Sequence, residues 1–546
     1  MKEKKRFEQL ARRFFEWAYR AWPVWATSLG IHQYDHLLPD YSKKALAQRI
    51  ATLKGFYQSL VRIDKEKLDL FTQTEYEVLK GDLGWSILEE EQVRFFEKNP
   101  GLYVDEVVWG VFLLLSRKFA PEKVRAKSLL GRLKQVPRIL LQAKKNLKNP
   151  PRVYTQVAVQ TGEGGLILLK NRVPVLAKKA PKLEKQILTA NKKARAAMKD
   201  YLSFLKALLK KKEKGDYALG QVLFEKKLAL AQGLDYSVKD LLDLGWEIFR
   251  QTEKDLAALA REIDGSKSWQ EQVKDLRKVR PEVESLVKTY QAEVKKLKKY
   301  LAKEKIVPLP GKESLKVIKT PLSERSTTPY AAYHSPAPFE PDQTGQFWVT
   351  PVDRNLSAKE QVRQLSEHAL DHLPVTVLHE SYPGHHLQLV WANRVDSLVR
   401  KHSHNTPYCE GWALYCERLM EEVGYLSSPE QKLFRLKDKL WRAARVILDV
   451  SLHTRGMSIE EAVDFLVEKV HLARPSALIE IRRYTLTPTY PLSYLLGKLE
   501  ILKLREEMRE KLGAKFSLYD FHDRLLKKGT IPVKLARKEL LKEAEK

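Results

Sequence analysis

Apolar residues recur every three or four positions from about Phe7 to Tyr300 and again from Ser357 to the end of the chain. Examples are YEVLKGDLGWSILEEEQVRFF and VKDLLDLGWEIFRQTEKDLAALAREI. That period belongs to helices that bury one face and solvate the other. It is broken once. Prolines stand at 308, 310, 321, 329, 336, 338 and 341, with the short alternating runs LKVIKT and QFWVT beside them. Such texture predicts a small strand-and-loop region, with QFWVT its best strand. The expected fold is mainly α: a large helical bundle with a small β element about thirty residues before His379. Its parts are a helical stretch over 1–305, strands and loops over 306–352 and a helical stretch over 353–546, forming one continuous structural unit. No repeat of fixed period supports a solenoid.

Composition narrows the class. Of 546 residues 43% are hydrophobic and 31% charged, which is globular rather than disordered. The net charge of +29 raises nucleic acid as a partner. However, lysine is interleaved with glutamate over long stretches, as on solvated helix faces. The densest runs, KALLKKKEKGDY and LLKKGTIPVKLARKELLKEAEK, fall at an expected loop and at the C-terminal tail. Solubility or adaptation to high temperature is the preferred reading, and nucleic acid is disfavoured. Cys409 and Cys416 lie seven apart in a helical pattern, roughly 10 Å along the axis, too far to bridge. They read as buried thiols in a reducing compartment. The N-terminus, MKEKKRFEQLARRFFEWAYRAW, has no uninterrupted apolar core and reads as an amphipathic helix rather than a signal peptide. Nowhere is an uncharged apolar run long enough to span a bilayer. The expectation is a cytoplasmic protein with no membrane partner.

The chemistry concentrates in TVLHESYPGHHLQL, residues 376–389. It opens as a zinc-peptidase helix does, with His379 and Glu380, but no histidine follows at the usual spacing. On a straight helix His385 would sit about 120° round from His379. His386 would return to the same face roughly 10 Å away, so neither could share an ion with His379. Pro383 and Gly384 supply the remedy. Proline removes a helical hydrogen bond and glycine permits unusual dihedrals, so together they can bulge the helix and return a later histidine. A hydrolytic zinc needs three protein ligands, an open position, and a carboxylate to take a proton from water. Downstream, HNTPYCEGWALYCERLMEEVGY offers the third ligand. Thr406 suits an N-cap and Pro407 the first helical position, which places Glu410 near a helix start. Glu410 is the expected ligand; Glu417, two turns on, is expected to support it from behind or to be structural.

HESYPGHHLQ followed by EGWALYCERL resembles the large bacterial and archaeal domain-of-unknown-function family of zincin-like metallopeptidases with the HExxPGHH signature. PVWATSLGIHQYDHLLPDYS at 23–42 is similar to its N-terminal block. RVILDVSLHTRGMSIEEAVDFL and RRYTLTPTYPLSYLLGKLEI are similar to its two C-terminal blocks, so the likeness spans nearly the whole chain. More remotely the family resembles the angiotensin-converting-enzyme and carboxypeptidase Taq groups of gluzincins. That resemblance implies a helical protein split by a deep substrate channel, with an edge strand for the substrate backbone. It also implies His379 and either His385 or His386 as ligands, Glu410 as the third, and Glu380 as the base. Gly384-His385 matches a Gly-His often found in those groups and favours His385; His386-Leu387-Gln388 looks like the segment after the second histidine of converting enzyme and favours His386. His385 is preferred.

Other candidates are weighed on residues and resemblance together. Tyr494 or Tyr484 could donate to a developing oxyanion, and Arg482 or Arg483 could hold a substrate carboxylate. Asp449 and His453 stand four apart and can pair, with His453 a candidate substrate contact. The bland alternative for all of these is packing or solvation. His368 and His372 have true i, i+4 spacing, but no glutamate follows His368, and a solvated or capping role is preferred. The leading expectation is a zinc-dependent peptidase with one Zn2+ per chain acting on short peptides, in a carboxypeptidase or dipeptidase mode. The rival is a non-catalytic basic protein binding nucleic acid or an acidic partner, with a structural or vestigial metal site.

Overall fold

The helices form where the apolar stripe and the caps agree. In Lys2–Ala21 the residues Phe7, Leu10, Ala11, Phe14, Phe15 and Ala18 are buried at three- and four-residue spacing. Ser237, Ser268, Ser357 and Ser458 each open a helix with a reciprocal capping box. A computed structural model describes residues 2–211, 215–321, 325, 328 and 330–545. Within them the architecture is mainly α with one small sheet. Part of the lysine run expected to form a loop, residues 212–214, and Pro329 of the proline-rich region lie outside the described residues.

Two compact units divide the chain, Met1–Leu219 with Ala337–Pro341 and Gly220–Pro336 with Asp342–Lys546. The division thus falls within the stretch 1–305 expected to form one helical part. In the first unit helix Pro181–Leu209 packs on Glu122–Asn146 and Arg152–Asn171. Arg132, fully buried, donates to the Leu37, Gly110 and Pro23 carbonyls and to Thr27 Oγ1. Those bonds satisfy the guanidinium and hold the turn after helix Pro23–Leu29. The same turn carries His32, whose Nδ1 is 3.0 Å from Asp35 and whose ring stacks on Phe119. The return segment 337–341 docks there, with Phe339 N–H donating to the Leu29 carbonyl.

In the second unit the long helices Val238–Ile263 and Pro429–Thr454 run against each other, and Thr406–Glu422 crosses Ser493–Leu512. Glycines make that second crossing possible. A Cβ on Gly411 would fall 2.4 Å from Gly497 Cα, and one on Gly497 would strike the Pro407 carbonyl oxygen. The sheet has three strands, β1 (Ser314–Lys319), β2 (Ala331–His334) and β3 (Thr344–Val349), in the order β1-β3-β2. β1 is parallel and β2 antiparallel to β3, with Tyr333 opposite Phe347. Among the described residues β2 therefore has one free edge.

Candidate metal centre

The chain solves the spacing problem by ending one helix and starting another. Helix Leu373–Glu380 stops after Glu380, and helix His385–Asn393 begins after four intervening residues, past a cis Tyr382–Pro383 peptide. The expected bulge is thus a complete break. Across it the Gly384 N–H returns to the Leu378 carbonyl at 3.0 Å. Only glycine fits at 384, since a Cβ there would lie 2.0 Å from the His379 carbonyl oxygen and 2.4 Å from that of Leu378. Glu410 arrives from helix Thr406–Glu422, whose N-cap is Asn405, one residue earlier than expected, with its side chain accepting from Tyr408 N–H.

The break brings His379, His385 and Glu410 together. One donor atom from each lies within 4.8 Å of the other two, and His385 Nε2 is 3.4 Å from Glu410 Oε2. Donors held about 2.0–2.1 Å from a tetrahedral ion sit about 3.3 Å apart, so that pair already has ligand spacing. The remaining atoms of the three side chains are occupied from behind. His379 Nδ1 meets Glu417 Oε1 at 2.8 Å, which leaves Nε2 as its free donor. The Tyr490 hydroxyl donates to Glu410 Oε1 at 2.5 Å, and Cys409 Sγ lies 3.7 Å from His385 Nδ1. Such outer partners fix ring orientation and tautomer. Arg442 then links Glu417, at 3.7 Å, to Asp438, at 3.2 Å, and Asp438 takes His372 at 2.9 Å. Burial alone would raise the Glu410 carboxyl, but His385, Tyr490 and His379 hold it down at about 2. An anionic carboxylate between two imidazoles is a donor set that suits a divalent cation of the zinc type.

Glu380 faces a different neighbour. Its Oε2 accepts the Tyr333 backbone N–H at 2.9 Å, from the free edge of β2. His386 does not join the cluster. It is fully buried, with Nδ1 3.0 Å from the Tyr333 hydroxyl and Nε2 2.7 Å from Glu313 Oε2. Glu313 also receives the Tyr382 hydroxyl and Lys298. Burial works to raise the Glu313 carboxyl, yet His386, Lys298 and Tyr382 hold it at about 2.

Of the expected substrate contacts, Tyr494 lies beside Tyr490, with ring centroids 5.9 Å apart, under the Arg445 guanidinium. Arg483 is one-third exposed, pairs with Glu480 at 2.8 Å and lies 5.7 Å from the Tyr490 ring. Tyr484 and His453 need correction. Both are fully buried; the Tyr484 hydroxyl is committed to Glu480, Arg445 and Trp441, and His453 Nε2 meets the Tyr484 carbonyl. They pack the helices behind the site rather than face a substrate. Of the i, i+4 pair, His368 is corrected, being buried against Tyr290 rather than solvated, whereas His372 stands at the N-cap position of helix Leu373–Glu380 with its ring 2.9 Å from Asp438. Tyr490 and Tyr333 were not anticipated, and Cys409, read as a buried thiol, was not expected beside His385. Tyr490 stands in the quoted RRYTLTPTYPLSYLLG, and its signal was its place in the loop between two helices.

A family model described as "Bacterial protein of unknown function (DUF885)" matches residues 23–540. Two solved structures are similar over nearly all of this chain. One, described as a putative lipoprotein of unknown function from Shewanella oneidensis, shares 25% identity at a TM-score of 0.85, covering 98% of this chain and 99% of its own. The other, a putative lipoprotein from Colwellia psychrerythraea, shares 19% identity at a TM-score of 0.85, covering 100% of this chain and 99% of its own. A carboxypeptidase from Pyrococcus furiosus shares 13% identity at a TM-score of 0.36, covering 100% of this chain and 95% of its own. Among curated proteins none matches. The descriptions of the first two overturn the expected cytoplasmic placement. Among the described residues no helix is long and apolar enough to cross a membrane, but that feature does not fix a compartment.

Proposed function

This chain belongs to the DUF885 family, and from the geometry at His379 we propose that it is a zinc-dependent peptidase of the zincin type. The observation that carries the reading is the convergence of His379, His385 and Glu410 within 4.8 Å, next in sequence to the carboxylate of Glu380. His379 Nε2, His385 Nε2 and Glu410 Oε2 would hold the ion. When bound, Zn2+ supplies Lewis acidity toward a scissile carbonyl and toward water.

The chain's own residues supply the rest. Glu380 takes a proton from water as its oxygen bonds to the carbonyl carbon, then delivers that proton to the nitrogen as the C–N bond breaks. The Tyr333 N–H holds the Glu380 carboxylate in place at 2.9 Å. Tyr494, whose ring centroid lies 5.9 Å from that of Tyr490, is the donor for negative charge developing on the carbonyl oxygen. Arg483, partly exposed beside Tyr490, suits the terminal carboxylate of a short peptide. That favours a carboxypeptidase or dipeptidase mode.

The test pairs metal analysis with digestion of a peptide library by wild type and Glu380→Gln. One zinc per chain in both, with hydrolysis only by wild type and about 10²–10⁴-fold lost in the variant, supports the reading. A metal-loaded wild type that cleaves no peptide overturns it.

A further inference from the structure

Charge is not shared evenly along this chain. Between residues 166 and 211 eleven lysines and two arginines stand against two acidic residues, Glu184 and Asp200, a net +11 in 46 residues. The reading of lysine interleaved with glutamate therefore fails for this segment. Folding sharpens the asymmetry. Helix Pro181–Leu209 buries Ile187, Ala190, Ala194, Met198, Tyr201, Leu202 and Leu205 on one side. That leaves Lys182, Lys185, Lys192, Lys193, Lys199 and Lys206 exposed on the other. At 100° and 1.5 Å per residue these six occupy a sector of roughly 140° and a length of about 36 Å. Asp200, on the same face, is taken by Lys144 at 2.7 Å, and Lys206 meets Glu163 at 2.6 Å. Among the described residues Lys182, Lys185, Lys192, Lys193 and Lys199 have no carboxylate partner.

Thermal adaptation would mix both signs into ion-pair networks, and this face does not. Nucleic-acid readers favour arginine forks and exposed aromatic rings, whereas here lysine outnumbers arginine and no aromatic ring is exposed. Aliphatic side chains stand out of the same segment instead: Ile167 is 62% exposed, Val175 56% and Leu188 38%. Point charges on flexible stems, with Leu188 on the same face of the helix, match a fluid anionic interface. We infer that the lysine face of helix Pro181–Leu209 adsorbs the protein to an anionic lipid surface. Contact is peripheral and rests on headgroup attraction.

The experiment is sedimentation of the full-length protein with phosphatidylglycerol-containing and pure phosphatidylcholine vesicles at low and high salt. It uses wild type, the quadruple variant K182Q/K185Q/K192Q/K193Q and the matched control K295Q/K296Q/K299Q/K303Q, each checked for an unchanged melting temperature. The expected result is salt-sensitive binding to the anionic vesicles alone, weakened at least about ten-fold in the first variant and little changed in the control. No binding to anionic vesicles at low salt overturns the inference. So does an equal loss in both variants, which would make net charge the cause. Tighter retention on a DNA duplex than on the vesicles would reassign the face to nucleic acid.

Discussion

His379 presents Nδ1 to Glu417 Oε1 at 2.8 Å, and this fixes which nitrogen turns toward Glu410 and His385. Glu417 is 2% exposed and is itself tied to Arg442. Partners of this kind are worth about 10–100-fold in metal affinity. Glu417→Gln is expected to weaken zinc binding by at least about ten-fold while leaving one site per chain, measured by competition with a chelator. Affinity within two-fold of wild type would deny Glu417 this part.

The two adjacent histidines are expected to behave oppositely. His385 points at Glu410, whereas both ring nitrogens of His386 are engaged by Tyr333 and Glu313. His385→Ala should abolish stoichiometric zinc. His386→Ala should keep zinc but lose about 3 kcal/mol or more of stability, because Glu313 is left buried without one of its partners. Metal analysis with denaturant titration of both variants separates the roles, and loss of zinc in His386→Ala with full stability would reverse them.

How much of this was legible beforehand follows from the range of each interaction. Helical stripes and the proline-rich break are local, and they placed the helices and the small sheet. Pro383-Gly384 signalled a distortion but not its extent, because the clash that demands glycine is with carbonyls brought near only by the break itself. The Tyr333 amide reaches Glu380 across 47 residues through a free strand edge, and no local pattern announces that. His453 misled because its i, i+4 spacing from Asp449 gives the face of a helix without saying how deeply that face is buried, and Tyr484 misled because a hydroxyl's chemistry is silent about burial in the same way. Charge misled similarly: the whole-chain balance concealed one lysine-rich face.

Gly384 should tolerate nothing larger. Its missing Cβ would meet two backbone oxygens, which unlike side-chain ends cannot step aside. Gly384→Ala is expected to cost more than about 3 kcal/mol, or to prevent folding, and to lose zinc. Urea unfolding with metal analysis reads both, and a variant within 0.5 kcal/mol (roughly the error of a surface substitution) that still binds zinc would contradict the break as described.

His32 gives the first unit a dependence on pH. Burial alone would lower its pKa, but Asp35 and Glu340 outweigh burial and raise it to about 9. Its side chain is 29% exposed. A folded pKa above the unfolded value of about 6.5 means the proton stabilises the folded state. The contribution is complete below pH 6.5, declines above it and is gone once pH passes 9. Its size is on the order of 1–3 kcal/mol, toward the lower end given partial solvent access. Thermal melts of wild type and His32→Gln at pH 6, 7.5 and 9.5 should show a stability gap that is widest at pH 6 and closes by pH 9.5. A gap that stays constant across that range would place the stabilisation in the ring's stacking on Phe119 rather than in its charge.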